Sequence, residues 1–459
     1  MKWFGFVLAA SAVAVAGCLV GCGGGGGSSG GGGFLPIAPA APVAALTVNV
    51  SINGTAATSG GNGQFSVKPG DTVEITPSQS ADWTTSDAAA STAGLRNPNV
   101  TATKWSAQIV NSTTVATTYT ITAKASANAA LTKDTVLNVA AGDTRNGTYK
   151  VFATNSAKPT LALDFDAMSY AFTDADGVVS TDVFSVDTTT AGTYMFKSAR
   201  NTVATNNARF RLATDTIVGA FPFEVAQVAG SYAVQPFVAS RALVTAQNQL
   251  DGIYTRFGLT MTAATRNSDI RKTKISGGGT LLFNCNEVAI TAVDACPAAS
   301  LVTYNITPGA TPDAWRVVNA ADPADVGAFS VAKVAGQNVY LSAGVIASTP
   351  TSSAISVFRI GLSSTAVWPS TAAIAADTNG TWGSLNFDAT TYGSTVKKGD
   401  GTSASVGYAL SFSGIPEGLA IANPTGPNIY FGMQNGALSA VVGARGGPVA
   451  GYLQIGLMN

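Results

Sequence analysis

The sequence predicts an all-β protein, and two features of its pattern support this class. From Leu46 onward, apolar and polar residues alternate with a period of two, for example across 47–52 (TVNVSI). Such alternation is typical of strands with one buried and one solvated face. Asn-Gly and Asp-Gly pairs, which favour tight hairpin turns, separate these runs. The pairs begin at Asn53, Asn62, Asn146, Asp176, Asp251, Asn379, Asp400 and Asn435. One segment, 240–250, has the apolar spacing of a helix of about three turns.

Residues 46–155 form the first predicted domain. The segment 67–75 (VKPGDTVEI) and Trp105, which lies within a predicted central strand, resemble bacterial immunoglobulin-like domains. This resemblance implies a two-sheet sandwich of about 100 residues, with Trp105 in its core.

Residues 156–459 form a second antiparallel β region. Glycine precedes an aromatic residue at two predicted strand starts, 250–254 (LDGIY) and 379–383 (NGTWG), and the later strands follow with hairpin spacing. This meander could close into a barrel, and it is similar to lipocalin-like barrels. The pattern also fits a sandwich, and it does not decide whether the region divides near residue 245.

The N-terminus has the features of an export signal. Met1-Lys2 precedes the apolar stretch 3–16, which is shorter than the roughly 20 residues of a membrane-spanning helix. The tetrapeptides that end at Cys18 and Cys22 both resemble the bacterial lipobox. We expect cleavage before Cys22, because a glycine run starts at Gly23 and because this choice leaves one cysteine pair; Cys18 is the alternative.

The lipobox resemblance implies a signal peptide over 1–21, a lipid on Cys22 and a Gly- and Pro-rich tether over 22–45. In such lipoproteins an aspartate after the cysteine favours inner-membrane retention. Gly23 occupies that position, so the outer membrane is the expected location, with the protein facing the periplasm or the cell surface.

Composition excludes several classes of function. The 25 basic and 25 acidic residues give a formal net charge of zero, so nothing favours nucleic acid as a partner. Charged residues make up 11% of the chain, against about 25% in typical proteins. Histidine is absent, which excludes Ser-His-Asp and Cys-His catalysis and His-ligated metal sites.

Cys285 and Cys296 are the predicted disulfide, because the export signal implies an oxidising compartment. Four aspartates, Asp164, Asp166, Asp174 and Asp176, lie within a short stretch. Clusters of carboxylates can hold calcium, but an EF-hand loop would require further ligands that are missing here. The simpler interpretation is a hairpin turn at Asp176-Gly177, with the calcium site as the alternative.

Two hypotheses for function follow. The first is a non-enzymatic, lipid-anchored binding or adhesion module without a cofactor, whose ligand is an unknown protein, glycan or small lipid. The alternative is a carboxylate-dependent enzyme such as a glycan hydrolase, which needs no histidine. Its candidate acids are Glu224, Asp251 and Glu287. Four aromatic residues could form a sugar- or lipid-binding surface or belong to the core; they are Trp315, Trp368, Trp382 and Tyr392.

Overall fold

The alternating pattern folds into β-strands throughout a computed structural model of the chain. The structure describes residues 44–86, 95–111, 113–200, 206–225, 228–262, 264–287, 292–347, 354–363, 371–412 and 418–458. The predicted all-β class is confirmed, since the helical elements among these residues are two short 3₁₀ turns, Gln247–Gln249 and Val293–Ala295. None of the described helical segments has the length and apolarity to cross a bilayer. Cys18, Cys22 and most of the predicted tether lie outside the described residues.

The described N-terminal strands form two sheets. One sheet, in the order β2-β1-β4-β7-β6, contains β1 (Val48–Ile52), β2 (Thr55–Ala56), β4 (Thr72–Pro77), β6 (Leu95–Thr101) and β7 (Lys104–Ile109). The other, in the order β3-β9-β8-β5, contains β3 (Gln64–Val67), β5 (Ala81–Thr85), β8 (Thr117–Ala125) and β9 (Thr132–Val139). Trp105 is buried against Val73, Ile75 and Leu137 between the sheets, which is the core position predicted for it.

The strands that follow form a first closed barrel. They are β10 (Gly147–Ala153), β11 (Thr160–Asp164), β12 (Ser169–Thr173), β13 (Val179–Val186), β14 (Thr193–Phe196), β15 (Arg209–Ala213), β16 (Thr216–Val225) and β17 (Val228–Ser240). Each strand pairs antiparallel with the next, and β10 closes the barrel on β17. Aromatic rings fill the interior, where Phe210 lies 4.5 Å from Phe196 and 5.3 Å from Phe184 between ring centroids.

A second barrel has the same up-and-down order and closes through the pairing of its first and last strands, β18 and β25. Its strands are β18 (Gly252–Met261), β19 (Arg266–Ser276), β20 (Leu281–Cys285), β21 (Leu301–Pro308), β22 (Trp315–Asn319), β23 (Val326–Val334), β24 (Gln337–Ile346) and β25 (Ile355–Ser363).

A third barrel completes the described chain and closes between β26 and β33. Its strands are β26 (Thr371–Asp377), β27 (Trp382–Phe387), β28 (Thr391–Lys397), β29 (Ser403–Ser411), β30 (Ala420–Ala422), β31 (Tyr430–Asn435), β32 (Leu438–Gly443) and β33 (Leu453–Met458).

The predicted boundary at 155 falls between the first two strands of the first barrel. The boundary predicted at 155 would assign β10 to the sandwich, whereas β10 pairs with β11 and β17 in the first barrel. The turn at Asn146 is the physical reason, because its side-chain carbonyl accepts a hydrogen bond from the Phe165 amide (2.7 Å) and fixes the barrel's first hairpin. The region predicted as 156–459 forms, with β10, the three barrels, and the change from first to second barrel falls between Ser240 and Gly252.

The predicted helix over 240–250 was wrong, because this segment closes one end of the second barrel. Val244 and Leu250 point into the barrel's apolar core, and the side-chain amide of Gln247 donates to the carbonyls of Gly279 and Ile306 (both 3.1 Å). Val244 and Leu250 therefore make this segment a plug rather than a helix.

The outer faces of the barrels are buried against one another. Phe257 and Phe358 of the second barrel belong to an apolar cluster that includes Phe152 of the first barrel and Leu457 of the third. Side chains also cross between barrels, since Asn207 donates to the carbonyls of Gly380 (2.9 Å) and Lys397 (3.0 Å). Burial on both faces explains the continuous apolar runs in strands such as β16.

We expect Phe210→Ala to destabilise the first barrel by about 3–5 kcal/mol, because it removes a ring from the centre of the packed interior. The shift in the urea-denaturation midpoint would measure this loss. Val183→Ala, at an exposed position on β13 of the same barrel, should change stability by less than about 0.5 kcal/mol. Equal shifts for the two variants would contradict the packed interior.

Candidate functional site

The second barrel contains a cavity of about 450 Å³ at the end opposite the plug. Its lower interior is apolar, where Trp315, Phe329 and Tyr340 pack with the plug residues. The upper interior is charged, and the described cationic residues that line it are Lys158, Arg256, Arg271 and Arg359. Pockets of this size suit small molecules.

Small residues on neighbouring strands make room for the guanidinium groups. Gly258 lies between Asp269 of β19 and Arg359 of β25 in the strand register. A Cβ on Gly258 would lie 3.2 Å from Cγ of Arg359, and one on Gly361 would lie 3.0 Å from Cγ of Arg256. Glycine at both positions therefore lets the long side chains cross the barrel interior.

The guanidinium groups share one carboxylate. Nε of Arg271 donates to Oδ1 (3.1 Å) and Oδ2 (3.0 Å) of Asp269. Nε of Arg359 lies 3.7 Å from Oδ2 of the same residue, an ion-pair distance beyond hydrogen-bond reach. Nη1 of Arg256 donates to the hydroxyl of Tyr340 (3.4 Å). The Nε atoms of Arg256 and Arg359 are buried and make no hydrogen bond within the described structure.

The pKa shifts of these groups have two causes. Burial raises the pKa of Asp269, but the charges of Arg271, Arg359 and Arg256 outweigh this effect, so the pKa is below its ordinary value. Burial, followed by repulsion from Arg256, lowers the pKa of Arg359. The cavity therefore carries more positive charge than its carboxylate neutralises.

A second acid at the rim already has polar partners. The hydroxyl of Tyr304 donates to Oδ2 of Asp325 (2.9 Å), and the side-chain amide of Asn319 donates to the same oxygen (3.0 Å). Asp325 is thus held on its own side of the opening. It makes no hydrogen bond to the buried Nε atoms of Arg256 and Arg359.

The predicted disulfide is present and lies at the same end of the barrel as the cavity. Cys285 ends β20 and bonds to Cys296, with 5.7 Å between the Cα atoms. The neighbouring inward residue Asn284 lines the cavity. The disulfide therefore limits the movement of the loop that follows β20 next to the opening.

The third barrel has a cavity of about 410 Å³ lined by tyrosines. Their ring centroids follow one another at 6.3 Å from Tyr392 to Tyr408, 5.6 Å on to Tyr430 and 5.4 Å on to Tyr452. The Tyr392 hydroxyl donates to Oε1 of Gln454 (2.7 Å). Because such polar atoms find partners within the barrel, this cavity has less unsatisfied bonding capacity than the arginine cavity.

The structure does not bring together the four aspartates considered for calcium. Asp164 and Asp166 lie before β12 and Asp174 and Asp176 after it, at opposite ends of the strand. Oδ1 of Asp174 accepts from the Asp176 and Val178 amides (3.0 and 2.9 Å), as expected for a hairpin turn. The described residues contain no group of three or more His, Cys, Asp or Glu side chains placed to hold a metal ion.

The candidate acids of the enzyme hypothesis lie in three different places. Glu224 accepts from the Gly230 amide (2.6 Å) in the first barrel. Asp251 accepts from the Gly279 amide (2.6 Å) at the plugged end of the second barrel. Glu287 accepts from the Ser300 hydroxyl beside the disulfide, at the other end. Each carboxylate stabilises a local loop.

Of the two alternatives left open for the four aromatic residues, a binding surface or the core, the described ones are buried. Trp315 is buried above the plug, where its indole donates to the Val244 carbonyl (3.3 Å), and Trp382 is buried between the first and third barrels. Tyr392 lines the third cavity. Trp368 lies outside the described residues.

Sequence reasoning missed the arginine cavity. Arg256 and Arg359 are about a hundred residues apart, and they meet because β18 pairs with β25 when the barrel closes. A local signal was present in β18, where the alternating positions 254, 256 and 258 include an arginine within an otherwise apolar strand. Comparisons with protein families, curated proteins and solved structures found no match for this chain.

We expect Asp269→Asn to lower the free energy of unfolding by about 3 kcal/mol, because it leaves the clustered guanidinium groups without their shared carboxylate. Adding phosphate should recover part of the lost melting temperature. Asp294→Asn removes the exposed ion pair with Lys274 and should cost less than about 1 kcal/mol. A variant Asp269→Asn as stable as Asp294→Asn would rule out the electrostatic role.

Acid should weaken the same cluster. The pKa of Asp269 is depressed in the folded state, so its contribution to stability is complete above the ordinary value of 3.8 and is lost as the pH falls through the folded value. Thermal melting from pH 5 to pH 2 should therefore show a steeper loss for the wild type than for Asp269→Asn. Parallel curves would contradict this assignment.

Proposed function

We propose that this protein is a lipid-anchored, non-enzymatic binding protein of the cell envelope whose second barrel holds a small anionic ligand. The observation that carries this proposal is the set of three guanidinium groups, on Arg256, Arg271 and Arg359, that line one cavity beside the carboxylate of Asp269. Carboxylate, phosphate and sulfate groups are the usual partners of arginine.

The energetics support an anion in this cavity. Arg256 is only 7% exposed, and burying a charge without a full set of partners is costly. An anion in the cavity would pair with the guanidinium groups that line it and offset the repulsion between Arg256 and Arg359. Charge-assisted hydrogen bonds of this kind contribute about 1.5–3 kcal/mol each.

The cavity offers binding rather than catalysis. Its described carboxylates, Asp269 and Asp325, are engaged by arginine in one case and by Tyr304 and Asn319 in the other. Neither is placed as a free acid or base, which favours the binding hypothesis over the hydrolase alternative.

We expect Arg256→Gln and Arg359→Gln each to weaken the binding of inorganic phosphate or sulfate at least tenfold, since each removes a charged donor. Isothermal titration calorimetry would measure the affinities. Arg316→Gln is the matched control, because Arg316 lies on β22 of the same barrel with an exposed side chain. Equal weakening by all three substitutions, or no binding to the wild type, would overturn the proposed site.

The lipobox resemblance and the glycine run after Cys22 support the anchoring part of the proposal. Two or three acyl chains hold a protein durably on a bilayer, because each buried methylene contributes about 0.8 kcal/mol. A tether over 22–45 would let the barrels stand away from the lipid surface.

We expect Cys22→Ser to abolish labelling by an alkyne-bearing palmitate in a bacterial host and to release the protein from the membrane fraction. Cys18→Ser should keep both the label and the membrane association. If Cys18→Ser alone lost the label, the anchor would be at Cys18; an unlabelled wild type would remove the anchor from the proposal.

A further inference from the structure

We infer that the ligand of the second barrel is an amphipathic anion with one hydrocarbon chain. Its charged group would bind among the arginines, and its chain would lie along a groove between the first and second barrels. This inference rests on the anion site of the proposed function.

Exposed apolar side chains surround the opening of the arginine cavity. Val326, Val345 and Ile346 are 52%, 59% and 58% exposed, although residues of this type are usually buried. All three line the same cavity as Arg256 and Arg359. A purely hydrophilic anion such as phosphate would leave this apolar rim in water, whereas a hydrocarbon chain would cover it.

A groove of about 770 Å³ continues from this rim between the two barrels. Lys158, Gly344 and Val345 line both the groove and the arginine cavity, so the two spaces are contiguous. The first barrel supplies Val178 and Tyr232 to the groove wall, and these side chains are 62% and 39% exposed. The groove therefore offers apolar contact directly next to the cationic cavity.

Charge sets the orientation of the ligand. The groove is lined by three carboxylates, Asp174, Asp176 and Glu224, against two cations, Lys158 and Arg200, so its net negative charge disfavours an anionic group there. The arginine cavity holds the surplus of positive charge. The anionic head thus belongs in the barrel and the chain in the groove, and the reverse orientation would place like charges together.

The test is a calorimetric titration of the full chain with straight-chain alkanoates from acetate to octanoate, all below their critical micelle concentrations. Affinity should rise with chain length by up to about fourfold per methylene, which corresponds to about 0.8 kcal/mol. Inorganic phosphate should compete with octanoate, because both would use the arginines. Octanol, which lacks the charge, should bind at least tenfold more weakly than octanoate.

Two variants test the contacts of the hydrocarbon chain independently of those of the anionic group. Val345→Ser and, independently, Ile346→Ser should reduce the gain from acetate to octanoate while leaving acetate affinity within twofold. Val183→Ser, at a position that is 43% exposed on the outer face of β13, should leave the gain unchanged. Circular dichroism and thermal melting would verify that each variant is folded. If one rim variant does not fold, the other still tests the contact with the hydrocarbon chain.

The outcomes distinguish the two proposals. If acetate and phosphate bind but chain length has no effect, the amphipathic ligand is wrong and the anion site stands. Octanol binding as tightly as octanoate would overturn the orientation. If neither phosphate nor any alkanoate binds, both the proposed anion site and this inference are wrong.

Discussion

The size of a closed eight-stranded barrel is the constraint on which the rest of this structure depends. Such a barrel encloses just enough space for its own side chains or for one small ligand. The first barrel uses the space for a ring-packed core around Phe210, whereas the third fills much of it with a hydrogen-bonded tyrosine series. In the second barrel, Gly258, Gly361 and Gly344 leave room above the apolar floor. The three barrels share one closed eight-stranded geometry, and the side chains that point inward give each barrel a different interior.

Packing between barrels decides the environment of the arginines. Alternate residues of β18 point into the second barrel, as Arg256 does, or outward into the cluster shared with the neighbouring barrels, as Phe257 and Leu259 do. Both faces of this strand are therefore withdrawn from water. A lower local dielectric strengthens both the repulsion among the guanidinium groups and their attraction for an anion.

Local pattern was sufficient to predict the strands, because the pleat places alternate side chains on opposite faces. It was not sufficient to predict three closures, since each depends on pairing between the first and last strands of a barrel, such as β10 with β17. One local feature recurs at the first strand of the first barrel and at the first strand of the second barrel. The hydroxyls of Tyr149 and Tyr254, each two residues after a glycine, donate to the carbonyls of Arg145 (2.9 Å) and Leu250 (3.0 Å). A comparison of these two strand starts would have separated the first barrel from the second. The arginine cavity could not be predicted in this way, because it depends on the register between paired strands.

The arginine cluster is difficult to explain by stability alone. Buried ion pairs are often no more stabilising than apolar residues of similar volume, and here one carboxylate serves several guanidinium groups. The first barrel has the same number of strands, and apolar side chains fill its interior. In the third barrel the buried hydroxyl of Tyr392, which lines the cavity, donates to Gln454, so its burial is compensated internally. The second barrel lacks that compensation at Nε of Arg256 and Arg359. A bound anion would supply countercharge to the arginines that line the cavity, which supports the proposed binding site over a purely structural core.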